Sequence, residues 1–448
     1  MIKYAHEIKE NIEASLIEIQ EEIQEGEGVV IIRNAYSDFQ LLDRVYTNFK
    51  NRIETEENLG ISANDLTTPR SNKRLFNALN KLAEDNPKDF IEYYSNKYLH
   101  HVVNTCLGPF YQIVSEINLV VPGELGQLPH RDYPFCVYTK KLLETLPSNL
   151  LKCAPFLTLQ AGVIHQDTPI EMGSTRFILG SQKETDGYRT MRNPVDINRF
   201  EKESIQFDLK KGDLIFFNSA IYHAGGGNST INPRLINLLQ ISSGMIRPLA
   251  TINFLELVQN LYQYLILISD KDKVERICRV ITECWPFPTN FITDKPKADF
   301  HAGIMDKDWL LDSWGKKIDA SIVEFKYSQK LEQRKYIKEK TNPKEIEKKN
   351  HLLQLIKDQS RIVIYPSGGV AKEFSKNLYF KYLNIVGFSD KNEKLIGKKI
   401  ENIKIIPVEE ILKLKPRLII IAVSNNQIEN IKKYLEDNNL LQIEKLII

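Results

Sequence analysis

Gln127-Leu-Pro-His130-Arg-Asp132 decides how this chain of 448 residues is read. His130 and Asp132 stand two apart in a stretch expected to be a strand, where alternate side chains share one face. An imidazole and a carboxylate so placed give two legs of a facial metal site, and a later His gives the third. His223 is taken as that leg. Arg234 follows eleven residues later, across the turn Ala224-Gly-Gly-Gly-Asn228. A metal with three protein ligands leaves room for a bidentate co-substrate, whose far end, if a carboxylate, needs a fixed guanidinium fork. Read alone, Arg234 is more simply a surface residue after a Pro in a hairpin.

Short apolar runs surround these residues: Pro155 to Ile164, Thr175 to Leu179, Ile205 to Leu209, Asp213 to Phe217 and Leu235 to Ser242. Turn residues such as Gly173, Gly180 and Lys211-Gly212-Asp213 separate them, and no helix is expected between them, which argues for an antiparallel sandwich or barrel. A second His-x-Asp, His165-Gln166-Asp167, closes one of the runs just before a Gly-containing turn. The expectation there is a surface loop.

Ahead of this region, Ile8, Ile12, Leu16, Ile19 and Ile23 recur at helical spacing up to Gly26, and Val29 to Ile32 reads as a buried strand. Residues 37 to 117 are expected to be mostly helical, with Asp65 to Ser71 a polar loop that could cover a substrate. Tyr93, Tyr94, Tyr98, His100 and His101 are read as core rings and solvated helix ends. Apolar content of 42%, charged content of 26% and a net charge of +2 describe a globular chain with no case for a nucleic-acid partner. Five scattered cysteines without a CxxC pair suggest reduced thiols and a cytoplasmic setting. No apolar run approaches the ~20 residues of a membrane helix, and no secretion signal is visible.

Taken together, the motifs resemble the phytanoyl-CoA dioxygenase group of Fe(II)/2-oxoglutarate oxygenases over roughly residues 27 to 245. In order they are Gly28-Val-Val-Ile-Ile-Arg33, Gln127 to Asp132, Met172-Gly-Ser-Thr-Arg-Phe-Ile-Leu-Gly-Ser-Gln182, Gly212-Asp-Leu-Ile-Phe-Phe217, His223 and Pro233-Arg234. The resemblance implies an α+β fold with a double-stranded β-helix (jelly-roll, cupin-like) core and flanking helices. It implies that His130, Asp132 and His223 hold Fe(II), that Arg234 pairs with the 5-carboxylate of 2-oxoglutarate, and that Gln127 contacts the same co-substrate. O2 is the oxidant and ascorbate the candidate reductant; hydroxylation is the commonest outcome, beside desaturation, epimerisation and ring closure. The chain departs from the group at Gly225, where a small hydroxyl is frequent, and at Met172 and Gln182. Retention of Asp132 speaks against a halogenase.

Residues 250 to 325 are helical in texture, and Trp285, Trp309 and Trp314 are read as core. From Lys326 to Lys349, nine Lys or Arg stand against four Glu, the pattern of a solvated helix and linker. After Arg361 the texture changes to a small parallel α/β array: Ile362 to Tyr365, Asn384 to Phe388, Lys404 to Pro407, Leu418 to Val423 and Lys445 to Ile448. The turn Pro366-Ser-Gly-Gly-Val-Ala371 is a degraded dinucleotide fingerprint in which only Gly368 is in register, with Asp390 where a ribose-binding acid would sit. Tyr365 to Ser424 is similar to the small Rossmann-like domains of bacterial sugar-modifying enzymes. That likeness suggests a sugar or nucleotide sugar; a structural or dimerising role is the alternative.

The expected organisation is therefore an oxygenase domain over 1–250, a helical connector over 251–357 and a Rossmann-like domain over 358–448. The expected enzyme is an Fe(II)/2-oxoglutarate dioxygenase acting on a small molecule, with homo-oligomerisation open. Two other readings stand beside it: a nucleotide- or NAD-dependent sugar-modifying enzyme centred on the tail, and a binding protein that keeps the barrel without turnover.

Overall fold

The computed structural model describes residues 1–4, 7–8, 11–61, 63–64, 72–285, 306–334, 343–376, 379–423, 427–440 and 442–447. The loop expected at Asp65 to Ser71 lies outside them. The chain divides into two compact units, Met1–Ile318 and Asp319–Ile448. This division falls inside the expected connector. Helices Phe254–Leu265, Lys271–Ile281 and Asp306–Gly315 lie in the first unit, and Ala320–Arg334 and Pro343–Lys357 in the second.

The first unit is a jelly roll of two facing sheets. The strands are β1 (Ile2–Tyr4), β2 (Val29–Arg33), β3 (Ala63–Asn64), β4 (Lys73–Leu75), β5 (Tyr111–Val120), β6 (Thr158–Ile164), β7 (Arg176–Ile178), β8 (Leu214–Asn218), β9 (Tyr222–Ala224) and β10 (Arg234–Ser243). Eight of them form the large sheet in the order β1-β2-β8-β6-β10-β5-β4-β3, and β7 pairs with β9 in the small one. Isolated bridges from His130 to His223 and from Phe177 to Ile205 extend the small sheet on both sides. Phe177 of β7 packs edge-on against Phe217 of β8 with ring centres 5.2 Å apart, and with Ile215, Ile236, Val29 and Ile31 it fills the space between the sheets.

Several sequence expectations give way here. Tyr111 to Ile117 belongs to a ten-residue strand, because β5 is buried along its whole length between β10 and β4. Pro155 to Leu157 ends a short helix, since Pro fits the first turn. Ile205 and Leu209 each make one bridge and no strand. Helices Lys140–Thr145 and Pro194–Glu203 interrupt the strand series.

Helices cover the other face of the large sheet over a buried polar network. Asn237 Nδ2 donates to Tyr93 Oη and Tyr94 Oη at 3.1 and 3.2 Å, Ser115 Oγ donates to Asn237 Oδ1 at 2.7 Å, and Tyr93 Oη lies 3.2 Å from His165 Nε2. His100 joins Tyr111 Oη and the carbonyl of Tyr94. Tyr93, Tyr94 and His100 are core rings, as expected. His165 is not in a surface turn: it is 2% exposed, stacked on Tyr93 with ring centres 5.7 Å apart. Trp314 donates to the carbonyls of Leu265 and Ile268, whereas Trp285 is exposed, against expectation.

The second unit is a parallel sheet with one antiparallel edge. Its strands β11 (Ile362–Tyr365), β12 (Ile385–Ser389), β13 (Lys399–Ile400), β14 (Ile403–Ile406), β15 (Leu418–Ile421) and β16 (Glu444–Ile447) lie in the order β13-β14-β12-β11-β15-β16. Alternate residues of β11 and β15 serve two cores. Ile362, Ile364, Leu418 and Ile420 meet Phe325 and Leu355 on one face, while Val363, Tyr365, Ile419 and Ile421 meet Ile411 and Leu435 on the other. Burial on both faces is why these strands read as unbroken apolar runs. Asp390 is turned inward, where its Oδ2 accepts from Ser367 N and Oγ at 2.9 Å each. It is committed to the turn after β11, not presented as a ribose-binding acid.

Burial pushes the imidazoles of His100 and His165 down from 6.5 to about 3. Unfolded, each takes up a proton near 6.5; folded, only near 3. The stability from keeping them neutral is complete above the unfolded value and is lost as pH falls from there towards 3. The urea midpoint is expected to fall between pH 7 and pH 4, and to fall less steeply in His165→Gln. Parallel pH profiles for the two proteins would contradict this.

Candidate metal centre

The three expected ligands meet. One ligand atom from each of His130, Asp132 and His223 lies within 4.8 Å of the others, the one such group among the described residues. The segment that carries His130 is not a strand, as expected, but a loop touching β9 at a single residue pair. His130 N donates to His223 O at 2.8 Å and His223 N to His130 O at 3.0 Å. Residues exchanging both backbone bonds face each other directly and point the same way, and the two rings sit 4.6 Å apart. Asp132 N donates to Ser219 O at 2.9 Å, which brings the carboxylate to the same side. Its Oδ2 is 3.2 Å from His223 Nε2, and its Oδ1 is 3.6 Å from His130 Nε2.

The ring nitrogens are sorted by the backbone. His130 Nδ1 is 2.8 Å from the carbonyl of Leu128, and His223 Nδ1 is 2.9 Å from that of Ile221. A carbonyl only accepts, so each Nδ1 carries the proton and the neutral ring keeps a lone pair on Nε2, aimed at the cluster. Burial pushes the Asp132 carboxyl up, but His223 and His130, when their rings carry a second proton, and Arg74 outweigh it and hold the carboxyl below the ordinary carboxylate value.

Crossed backbones hold these loops together. A Cβ on Gly173 would lie 2.5 Å from Gly226 O, and one on Gly126 2.8 Å from Gly225 O; both glycines have positive φ. Gln127 Oε1 accepts from Gly225 N at 3.0 Å, so Gln127 meets the position where a hydroxyl was expected and absent.

Arg131, between the two ligands, points the opposite way and had no role in the sequence reading. It is 2% exposed; its guanidinium donates to Ser181 O at 2.6 Å, to Ala220 O and to Glu184 Oε2 at 2.6 Å. Tyr188 Oη donates to Asp132 O at 3.0 Å from the same side. Gln160, also missed, donates from Nε2 to Asp132 Oδ2. Its signal was a lone amide inside the apolar run Leu159 to Ile164.

Arg234 begins β10 opposite Val120 and is 3% exposed. Among the described residues no carboxylate pairs with it, and its Nε has no hydrogen-bond partner. Burial, then the like charge of Arg74, push its guanidinium down to about 10. A buried cation without an anion is costly, and a dianionic co-substrate reaching in from the metal would complete it. Asn118 Oδ1, two pairs along on β5, is likewise buried without a partner. His165 and Asp167 do not come together as ligands: Asp167 is on the surface, where Lys211 N donates to it at 3.0 Å.

The fold is a jelly roll, and the cluster between its sheets is one that could hold a metal ion. Residues 25–236, just under half of the chain, match the family model described as phytanoyl-CoA dioxygenase (PhyH), and the chain carries a 2-oxoglutarate-dependent oxygenase domain. Residues 358–446 match the model described as C2185-like, N-terminal. No curated protein matches the chain. Solved structures similar to it include the non-heme alpha ketoglutarate dependent epimerase SnoN from nogalamycin biosynthesis, at 16% identity and a TM-score of 0.36, covering 52% of this chain and 84% of that one. The carbocyclase SnoK from the same biosynthesis gives 16%, 0.39, 52% and 86%. AviO1 from Streptomyces viridochromogenes Tue57 gives 12%, 0.38, 51% and 95%. Among the described residues no helix is long and apolar enough to cross a membrane.

Arg131→Leu would strip two carbonyls of their donor and Glu184 of a partner. It is expected to lower stability by about 3 kcal/mol, read as a drop in the denaturation midpoint. Arg131→Lys, whose single ammonium cannot span three acceptors, should recover only part of it.

Proposed function

We propose that His130 and His223, through Nε2, and Asp132, through its carboxylate, hold Fe(II). Arg234 pairs with the far carboxylate of 2-oxoglutarate, and Gln127 steadies the co-substrate beside Gly225. The observation that carries this reading is the buried, unpaired Arg234 on the same face of the large sheet as the cluster. When bound, iron and 2-oxoglutarate supply the oxidising chemistry, with O2 consumed and succinate and CO2 released. The chain's own contribution is placement. The Nδ1 bonds to Leu128 and Ile221 fix both rings, Tyr188 and Arg131 anchor the loop of Asp132, and the apolar packing of Phe177 and Phe217 keeps water from one side of the site.

The substrate is proposed to be a small molecule oxidised at carbon, most simply by hydroxylation. A sugar or nucleotide sugar is the proposed class. Its support is a Rossmann-like reading of the second unit, whose central β11 has β12 on one side and β15 on the other. The setting proposed is the cytoplasm, in line with free cysteines throughout the described residues.

With Fe(II), ascorbate and 2-oxoglutarate, the protein is expected to form succinate without added substrate. His130→Ala and Asp132→Ala should lose it along with Fe(II) binding, and Asp167→Asn should keep it. Arg234→Leu is expected to raise KM for 2-oxoglutarate about 100-fold, the loss of a buried charge-assisted pair. Undiminished Fe(II) binding in His130→Ala would sink the assignment.

A further inference from the structure

The carboxylate of Asp132 leans on the large sheet at one residue. Gln160 lies in β6 and is 2% exposed, between its cross-strand partners Gln240 of β10 and Phe217 of β8. Its Nε2 donates to Asp132 Oδ2. An amide buried in a strand is retained at a cost unless its hydrogen bonds are made, and this one is made to the carboxylate of the cluster.

The placement bears on how that carboxylate can bind. A donor fixed on Oδ2 takes one of its lone-pair directions and stops the group from rotating. Oδ1, which no such donor meets, would be the oxygen more open to a metal. Phe217, on Gln160's flank, packs edge-on against the His223 ring with centres 5.1 Å apart. Adjacent residues of two paired strands therefore seat two of the three ligands. A regular sheet holds them better than the loop that carries Asp132 could alone.

We infer that Gln160 is a positioning residue of the metal centre, acting through Asp132 to fix the orientation of its carboxylate. The inference rests on the assignment of Asp132 as a ligand. Full-length Gln160→Leu, Gln160→Glu, Asp132→Ala and wild type are titrated anaerobically with Fe(II). The visible absorption of the complex with Fe(II) and 2-oxoglutarate and the melting temperature of the metal-free proteins are followed alongside. Gln160→Leu is expected to bind Fe(II) about ten- to hundredfold more weakly, with a shifted absorption band and a metal-free melting temperature close to wild type. Gln160→Glu, which sets an acceptor against Asp132, should be weaker still, and it carries the test if the Leu variant does not fold. Wild-type affinity and spectrum in both Gln160 variants, with binding lost in Asp132→Ala, would overturn the inference and leave the centre standing. Unchanged binding in Asp132→Ala would overturn the assignment beneath it.

Discussion

Two backbone hydrogen bonds, exchanged between His130 and His223, are what the site depends on. The imidazoles have no reason to approach each other; two neutral rings with lone pairs facing one point gain little until a cation arrives. Their proximity is imposed by main-chain pairing of a loop with β9. That pairing in turn needs the glycine crossings beneath it, where Gly126 and Gly173 touch the backbone of residues 225–227 too closely for any side chain. The three candidate ligand side chains are thus brought together by main-chain bonds that do not involve the side chains themselves. Preorganisation of this kind spares the binding step the ordering of three side chains.

Two buried arginines show how the same side chain serves structure and chemistry. Arg131 is surrounded by acceptors: two carbonyls and Glu184, which itself receives Arg199. Its charge is met within the protein, and its effect is to lock the loop of residues 178–188 against the ligand segment. Arg234 is equally buried but meets no anion among the described residues, and Arg74, whose charge acts on it, has the same sign. Under the proposed function, that unmet cation takes the far carboxylate of the co-substrate. The partners of the two side chains, and not their burial, separate the roles.

The strands, and the three side chains that meet in the cluster, were largely legible because they depend on local pattern. Apolar runs, turn glycines and the spacing from His223 to Arg234 are one-dimensional features. What escaped depends on register. Gln160 meets Asp132 only because β6 lies beside β8 and β10 in one alignment, and nothing near position 160 announces that pairing. Asp390 looked poised for a ribose by its distance from the glycine turn, yet Ser367, one residue past Pro366, turns that carboxylate inward. The N-terminal strand at Ile2 to Tyr4 was missed because three residues beside a charged helix carry no period.

The two His-x-Asp motifs make the same point most sharply. Both place an imidazole and a carboxylate two apart, and both are followed by a turn. His130 is seated in a loop that meets β9, so its ring faces that of His223 and its Asp follows it there. His165 stands one residue past the end of β6, where its ring falls on the helix-covered side of the sheet among Tyr93, Phe49 and Tyr46. Its Asp167 continues out to Lys210 and Lys211 at the surface. Burial among aromatic rings and a hydrogen bond from a tyrosine leave His165 neutral and occupied, so no shift of its neighbours by one or two residues would make it a ligand. What distinguishes the pairs is which side of one sheet each histidine reaches, and that is decided by strand alignment far from either motif.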